Sequence, residues 1–311
     1  MNIEFESPPT LQEMTLCKDD FLDSISDEGT VLALIEASVV PGLCETIEAE
    51  GLTAHCLFKG QLAEDLRDVA PYLVRLPKTS SILRQMLNED DKPWALWDKR
   101  PGILIRSDMA GSDLVKHLRR FLRLHHGEKP FFFRFWEQAS ALAYFDAIAS
   151  DAQKWRRWFF PFGGGVIDEI LVPDLRTRSF RVFEAGPLWE GSRVPRGRFS
   201  ISDAEMQALL GAKFQEDMWK MERLLRKTFP DATEDLDNDT LEKALKRSVS
   251  RMASFGVRQR AHVFRVAAWD LHSDGRFENS DRDGQLRQIL EMPIGEADKM
   301  RRLAERLAEL P

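Results

Sequence analysis

Val31-Leu-Ala-Leu-Ile35 is the stretch on which the fold turns. Five consecutive apolar residues, followed by the break at Pro41-Gly42, predict a short strand buried on both faces. Such a strand needs helices above and below its sheet. The flanking sequence supplies them, with a helix expected over 43–49 and strands at Ala54-His-Cys-Leu-Phe58 and Tyr72-Leu-Val-Arg-Leu76. Further helices are expected over 63–69 and 80–88, and a strand at Ile103-Leu-Ile-Arg106.

The alternation runs on. A helix is predicted over 112–124, with Ser112 and Asp113 suited to its N-cap, then a strand at Phe131-Phe-Phe-Arg-Phe135. Helices over 137–149 and 152–158 follow, then a closing hairpin of 166–172 and 179–183. Residues 1–30 are polar and acidic and are expected to hold one short helix. Strands alternating with helices indicate an α/β lobe with a mixed sheet.

Beyond Phe183 the pattern changes. Gly186, Pro187, Gly191, Pro195 and Gly197 make residues 186–200 read as a linker. Helices are then expected over 202–229, 240–255, 258–271, 283–291 and 295–310. Ser202-Asp-Ala-Glu205 has the spacing of a capping box at the first of these. The expected organisation is an α/β domain over 1–190 and an all-α C-terminal lobe over 191–311.

Charge and composition exclude several classes. The net charge is −7, and residues 196–311 carry 21 charges of each sign, so the whole excess sits in the first 195 residues. Neither part has the basic surplus that nucleic acid requires. Three cysteines, Cys17, Cys44 and Cys56, form no paired framework and suit a reducing compartment. The first residues lack the basic and apolar regions of a signal peptide, and no apolar run approaches the ~20 residues of a membrane span. A cytoplasmic protein is expected, without membrane insertion.

No motif completes a catalytic or ligand set. Gly163-Gly-Gly165 precedes a strand and lacks a following Lys-Ser/Thr pair, so it reads as a turn and not a phosphate cradle. Asp235-Leu-Asp-Asn-Asp239 has the alternation of a calcium loop, but Thr240 and Lys246 stand where glycine and the clamping glutamate belong. His117, His125 and His126 crowd one predicted helix end without the spacing of metal ligands. No metal or cofactor is expected. A catalytic site assembled from distant residues stays open as the alternative.

Two stretches favour a partner. Lys116-His-Leu-Arg-Arg-Phe-Leu-Arg123 puts Leu114, Leu118, Phe121 and Leu122 on one helical face and its basic residues on the others, as a solvated flank or a seat for an acidic protein. Trp155-Arg-Arg-Trp-Phe-Phe-Pro-Phe162 is the densest aromatic segment of a chain with 20 Phe, 8 Trp and only 2 Tyr. Trp155, Trp158 and Phe159 share a helical face suited to a core. Pro161 ends that helix, so Phe160 and Phe162 need another environment, in lobe packing or partner contact.

The order of motifs resembles the effector-chaperone domain of type VI secretion adaptors, the Tap or TEC family. Leu34-Ile-Glu-Ala37, Cys56-Leu-Phe-Lys-Gly60 and Val69-Ala-Pro-Tyr-Leu-Val74 follow the family's opening pattern. Ser107, His117-Leu-Arg119, Gly127 and Phe133-Arg-Phe-Trp136 follow its middle. Glu137-Gln138-Ala139 departs from the family's Asp-Pro-Arg, and Phe159-Phe-Pro-Phe162 matches its aromatic-Gly-Pro region loosely. Phe255-Gly-Val257 and Asp274-Gly-Arg-Phe277 resemble its C-terminal pattern.

The resemblance implies a non-enzymatic cytoplasmic adaptor that binds a type VI secretion effector, stabilises it and loads it onto the VgrG spike. The effector segment is expected in a groove between the lobes. Trp155, Trp158, Phe160 and Phe162 would line it, with Trp189 on the linker and Phe214, Trp219 and Met221 on the first long C-terminal helix.

Overall fold

A computed structural model describes residues 14–90, 92–175, 177–186, 197–273 and 275–310. The elements of its first part are, in chain order, β1 (Met14–Cys17), β2 (Thr30–Glu36), α1 (Leu43–Ala49), β3 (Ala54–Cys56), α2 (Gln61–Asp65), β4 (Pro71–Pro77) and α3 (Ser81–Leu87). Next come β5 (Gly102–Arg106), α4 (Gly111–Leu118), β6 (Arg123–His126), β7 (Lys129–Phe132), α5 (Gln138–Ile148) and α6 (Ala152–Phe159). The hairpin β8 (Glu169–Asp174) and β9 (Ser179–Glu184) and the short β10 (Ser200–Ile201) complete it.

Seven strands form one sheet in the order β1-β9-β8-β5-β2-β4-β3, with β2 held between β4 and β5. The period of two distributes the apolar run of β2 to both faces. Leu32 and Leu34 join one core with residues of α4, α5 and α6. Val31, Ala33 and Ile35 join a second with residues of α1 and α3, Phe21, Trp97 and Phe180. The expected α/β lobe is therefore a helix–sheet–helix sandwich. Register at its centre leaves no room for a side chain at Gly102, where a Cβ would stand 1.8 Å from the Leu34 carbonyl oxygen.

Every pairing in the large sheet is antiparallel. The parallel pairing lies in a second sheet of order β10-β6-β7, between β10 and β6. This small sheet revises two expectations. The helix expected over 112–124 ends at Leu118, passes through a 3-10 turn at Arg119–Phe121, and gives way to β6. His125 and His126 therefore lie on a strand turned by Gly127 (φ 57°), not at a helix end. The strand expected at 131–135 is Lys129–Phe132. Ala110 occupies the N-cap of α4 without a side-chain bond, and Asp113 pairs with Lys116 at 2.8 Å. At the start of the chain, β1 pairs with β9 where no strand is predicted.

The remaining elements are α7 (Asp203–Thr228), α8 (Pro230–Thr233), α9 (Asn238–Ser254), α10 (Arg260–Leu271), α11 (Gln285–Glu291) and α12 (Glu296–Glu309). The C-terminal part is helical, as predicted. The capping box forms reciprocally: the Glu205 amide donates to Ser202 Oγ at 3.3 Å and the Ser202 amide to Glu205 Oε2 at 3.1 Å. Asp237 caps α9 by accepting from the Thr240 amide at 2.6 Å, which accounts for the acidic run there.

Two compact units result, residues 1–212 and 213–311, with the division inside α7 and beyond the boundary expected near residue 190. Most of the expected linker, 187–196, lies outside the described residues. Where description resumes, Phe199 and Ile201 are buried in the first core, and Met206 and Leu209 pack against it. The chain past 197 thus still belongs to the first unit.

The second unit centres on Met218, Leu225, Leu241, Met252, Val266, Phe277 and Leu290. A buried ionic network crosses it. Asp270 accepts from Arg251 Nη2 at 2.6–2.7 Å, from Ser248 Oγ, and from the Phe277 amide at 3.0 Å. Arg251 Nε lies 3.3 Å from Glu278, and Arg251 Nη1 donates to the Gly275 carbonyl at 2.7 Å.

Candidate functional site

The family-like motifs occupy the joints of the first unit. Glu36, at the end of β2, accepts from Arg134 and from Trp136 Nε1 at 3.0 Å, tying the central strand to the Phe-Arg-Phe-Trp segment. Burial pushes the Glu36 carboxyl up, but hydrogen bonds from Ser38, Trp136 and Arg134 outweigh it and hold the group below its ordinary range. Arg119 donates to the carbonyls of Cys56, Leu57 and Phe58 at 2.8–3.1 Å, so it is bound to the chain after β3 and is no solvated flank. Ser107 Oγ donates to the Val166 carbonyl at 2.6 Å, and the Met109 amide donates to it at 3.2 Å.

His117 is a further joint. Its Nε2 donates to the Trp158 carbonyl at 2.7 Å, and its buried Nδ1 has no partner. Burial, partly offset by that carbonyl, pushes its pKa down to about 4. A histidine whose folded pKa lies below the unfolded ~6.5 contributes stability that is complete above pH 6.5 and is lost as pH falls towards 4. Urea unfolding of wild type and His117→Gln should therefore diverge over this window, with the wild type losing more stability on acidification. Parallel losses in the two proteins would place the acid sensitivity elsewhere.

The aromatic segment divides at Pro161. Trp155 and Trp158 are both 0% exposed. Trp158 stacks on Phe121 with centroids 3.6 Å apart, and Trp155 stacks on Phe159 at 5.0 Å while donating to the Glu184 carbonyl. Both rings are enclosed in the core of the first unit, which corrects their expected place on a partner groove. Phe160 is half-buried and Phe162 is 45% exposed. Pro161 accounts for the divide, because it ends α6 and turns the following ring away from the core face.

Phe160 and Phe162 each carry an arginine, and so does the core ring Phe199. Arg156 lies over Phe160 with its guanidinium 4.9 Å from the centroid, and Arg120 lies over Phe162 at 4.1 Å. Arg157 lies over Phe199 at 5.0 Å. An open groove of about 700 Å³ runs along this edge, lined by Lys116, His117, Arg120, Phe162 and the turn at Gly163–Gly165. The turn reading of the triplet holds: Gly164 and Gly165 have φ of 91° and 85°, and a Cβ on Gly165 would meet Met109 at 2.6 Å.

In the second unit the expected residues separate in the same way. Met221 is buried in the helical core at 3% exposure, which corrects its place on a groove. Phe214 is exposed on α7. Trp219 is half-buried under Arg223, whose guanidinium is 4.8 Å from the ring. Trp189 lies outside the described residues.

Among the described residues no three His, Cys, Asp or Glu side chains gather as metal ligands, and His126 pairs with Asp203 at 2.6 Å. No helix among them is long and apolar enough to cross a membrane. Residues 31–156 match the profile of a family described as "Domain of unknown function (DUF4123)". No curated protein and no solved structure matches the chain. The matched stretch runs from β2 into α6 and contains Glu36, Ser107, Arg119 and Arg134, the residues that fasten the first unit together. Residues 31–156 are thus similar to the DUF4123 family, which is associated with adaptor function for type VI secretion effectors.

Proposed function

We propose that this chain is a cytoplasmic adaptor that binds a type VI secretion effector, stabilises it and loads it onto the VgrG spike. The match of residues 31–156 to the adaptor family carries this reading. Accessible aromatic side chains support it: Phe160 and Phe162 in the first unit, Phe214 and Trp219 in the second. Rings left at a surface beside arginines are the residue types that dominate protein interfaces.

Co-expression with the toxin-like protein encoded beside this gene, followed by size exclusion, tests the proposal. A co-eluting complex with solubilised effector is the expected result. A neighbour that stays soluble alone and elutes apart would reject it. Within a complex, Phe160→Ala and Trp219→Ala should each weaken effector binding by about 2 kcal/mol if they are hot spots. Titration calorimetry measures this, and wild-type affinity in both variants would remove these rings from the interface.

A further inference from the structure

We infer that the groove beside Phe162 seats an acidic segment of the partner protein, its carboxylates held by Arg120 and Lys116 and its apolar side chain resting on Phe162. The inference rests on the adaptor reading above and names the chemistry of what is bound. Three observations lead to it.

First, the groove has more cations than anions. Arg120 has no carboxylate partner among the described residues, and the one acid lining the groove, Asp113, is engaged by Lys116. Arg120 is held below its ordinary pKa, first by burial and then by the neighbouring charge of Arg157. An arriving carboxylate offsets both, because an opposite charge favours the charged guanidinium.

Second, Arg156 on α6 is only 9% exposed, and its Nε and Nη1 have no hydrogen-bond acceptor. Buried guanidinium N–H groups are normally paired, so the helix that leads into the Phe160–Phe162 segment carries unmet donor capacity.

Third, the guanidinium groups lie over phenylalanine rings. Stacking fixes the plane of the fork while leaving its N–H edge open, the geometry that suits planar carboxylates. Phosphates of a nucleic acid suit the groove less well, because Asp113 lines it and the first 195 residues hold the whole −7 charge.

The test uses the full chain and the co-expressed effector. Affinity is measured at 0.1 and 0.5 M NaCl for wild type, Arg120→Glu, Arg120→Lys and Phe162→Ala, with circular dichroism checking each fold. A photo-crosslinking phenylalanine analogue at position 162 then identifies the bound peptide. Expected are at least tenfold weaker binding on raising salt, at least tenfold weaker binding by Arg120→Glu, a smaller loss for Arg120→Lys, and a crosslinked peptide containing Asp or Glu.

Wild-type affinity in both Arg120→Glu and Phe162→Ala would overturn the inference and leave the adaptor reading standing. So would a crosslinked peptide lacking acidic residues, or displacement of the effector by a single-stranded oligonucleotide. Failure of the wild type to bind effector would overturn both together.

Discussion

Trp158→Ala should destabilise the first unit by about 3–5 kcal/mol, the range for removing a large aromatic from a packed core. The ring is fully buried and meets five others: it stacks on Phe121 and meets Phe135, Tyr144, Phe145 and Phe199 edge-on, with centroids 5.1–6.4 Å away. Its Nε1 donates to the Tyr144 hydroxyl at 3.3 Å, so the substitution also removes a partner from a phenol that is itself 0% exposed. Neighbours drawn from the 3-10 turn after α4, from α5 and from the segment after β7 cannot all collapse into the vacancy. Domains hold about 5–15 kcal/mol in total, so the loss is a large fraction of what is available. Denaturant unfolding should show a lower midpoint with an unchanged slope. A loss under 1 kcal/mol would mean that Trp158 is not enclosed. Phe162→Ala serves as the control, since an exposed ring should change stability by about 0.5 kcal/mol or less.

Arg251→Ala should cost the second unit about 3–5 kcal/mol, by a different mechanism. Asp270 and Glu278 are 5% and 7% exposed, and Arg251 is the cation that meets both. Its removal takes the cation from two buried carboxylates and frees the Gly275 carbonyl from its donor. The penalty is mostly that of uncompensated charge. Adding Asp270→Asn to Arg251→Ala should therefore recover part of it, although Ser248 and the Phe277 amide also depend on Asp270 and keep recovery incomplete. Thermal or denaturant unfolding of the single and double variants decides the point. A double variant less stable than the single one would show that Asp270 matters through its hydrogen bonds and not its charge.

The fold was legible where burial is two-sided or a terminus has its own chemistry. β2 shows itself as an unbroken apolar run because helices cover both faces of its sheet. The start of α7 shows itself because Ser202 and Glu205 stand three residues apart. By contrast β1 is four residues at a sheet edge, largely exposed, and exists because β9 offers it a partner. β6 was hidden by a helical periodicity that runs on through Leu118, Phe121 and Leu122. Pairing with β7 across Gly127 overrides it.

For the candidate site, the sequence separated Phe160 and Phe162 from the rest of the aromatic segment through Pro161. It could not separate a tryptophan enclosed by distant helices from one facing a partner. Met221 failed for the same reason, since a long amphipathic helix shows its apolar face but not what covers it. Arg156 left no trace in the sequence, because its burial depends on tertiary packing.

The fastenings of the first unit have a consequence for how such adaptors diversify. Glu36 reaches Arg134 and Arg119 reaches Cys56–Phe58 across long stretches of chain, inside the scaffold, while Phe160, Phe162 and the glycine turn stand at its rim. The residues that declare kinship and the residues that would choose a cargo are therefore different ones. Under the proposed function, a lineage would be free to exchange its cargo by rewriting the rim alone. Grafting residues 160–165 between two such proteins would transplant preference without disturbing the frame that carries it.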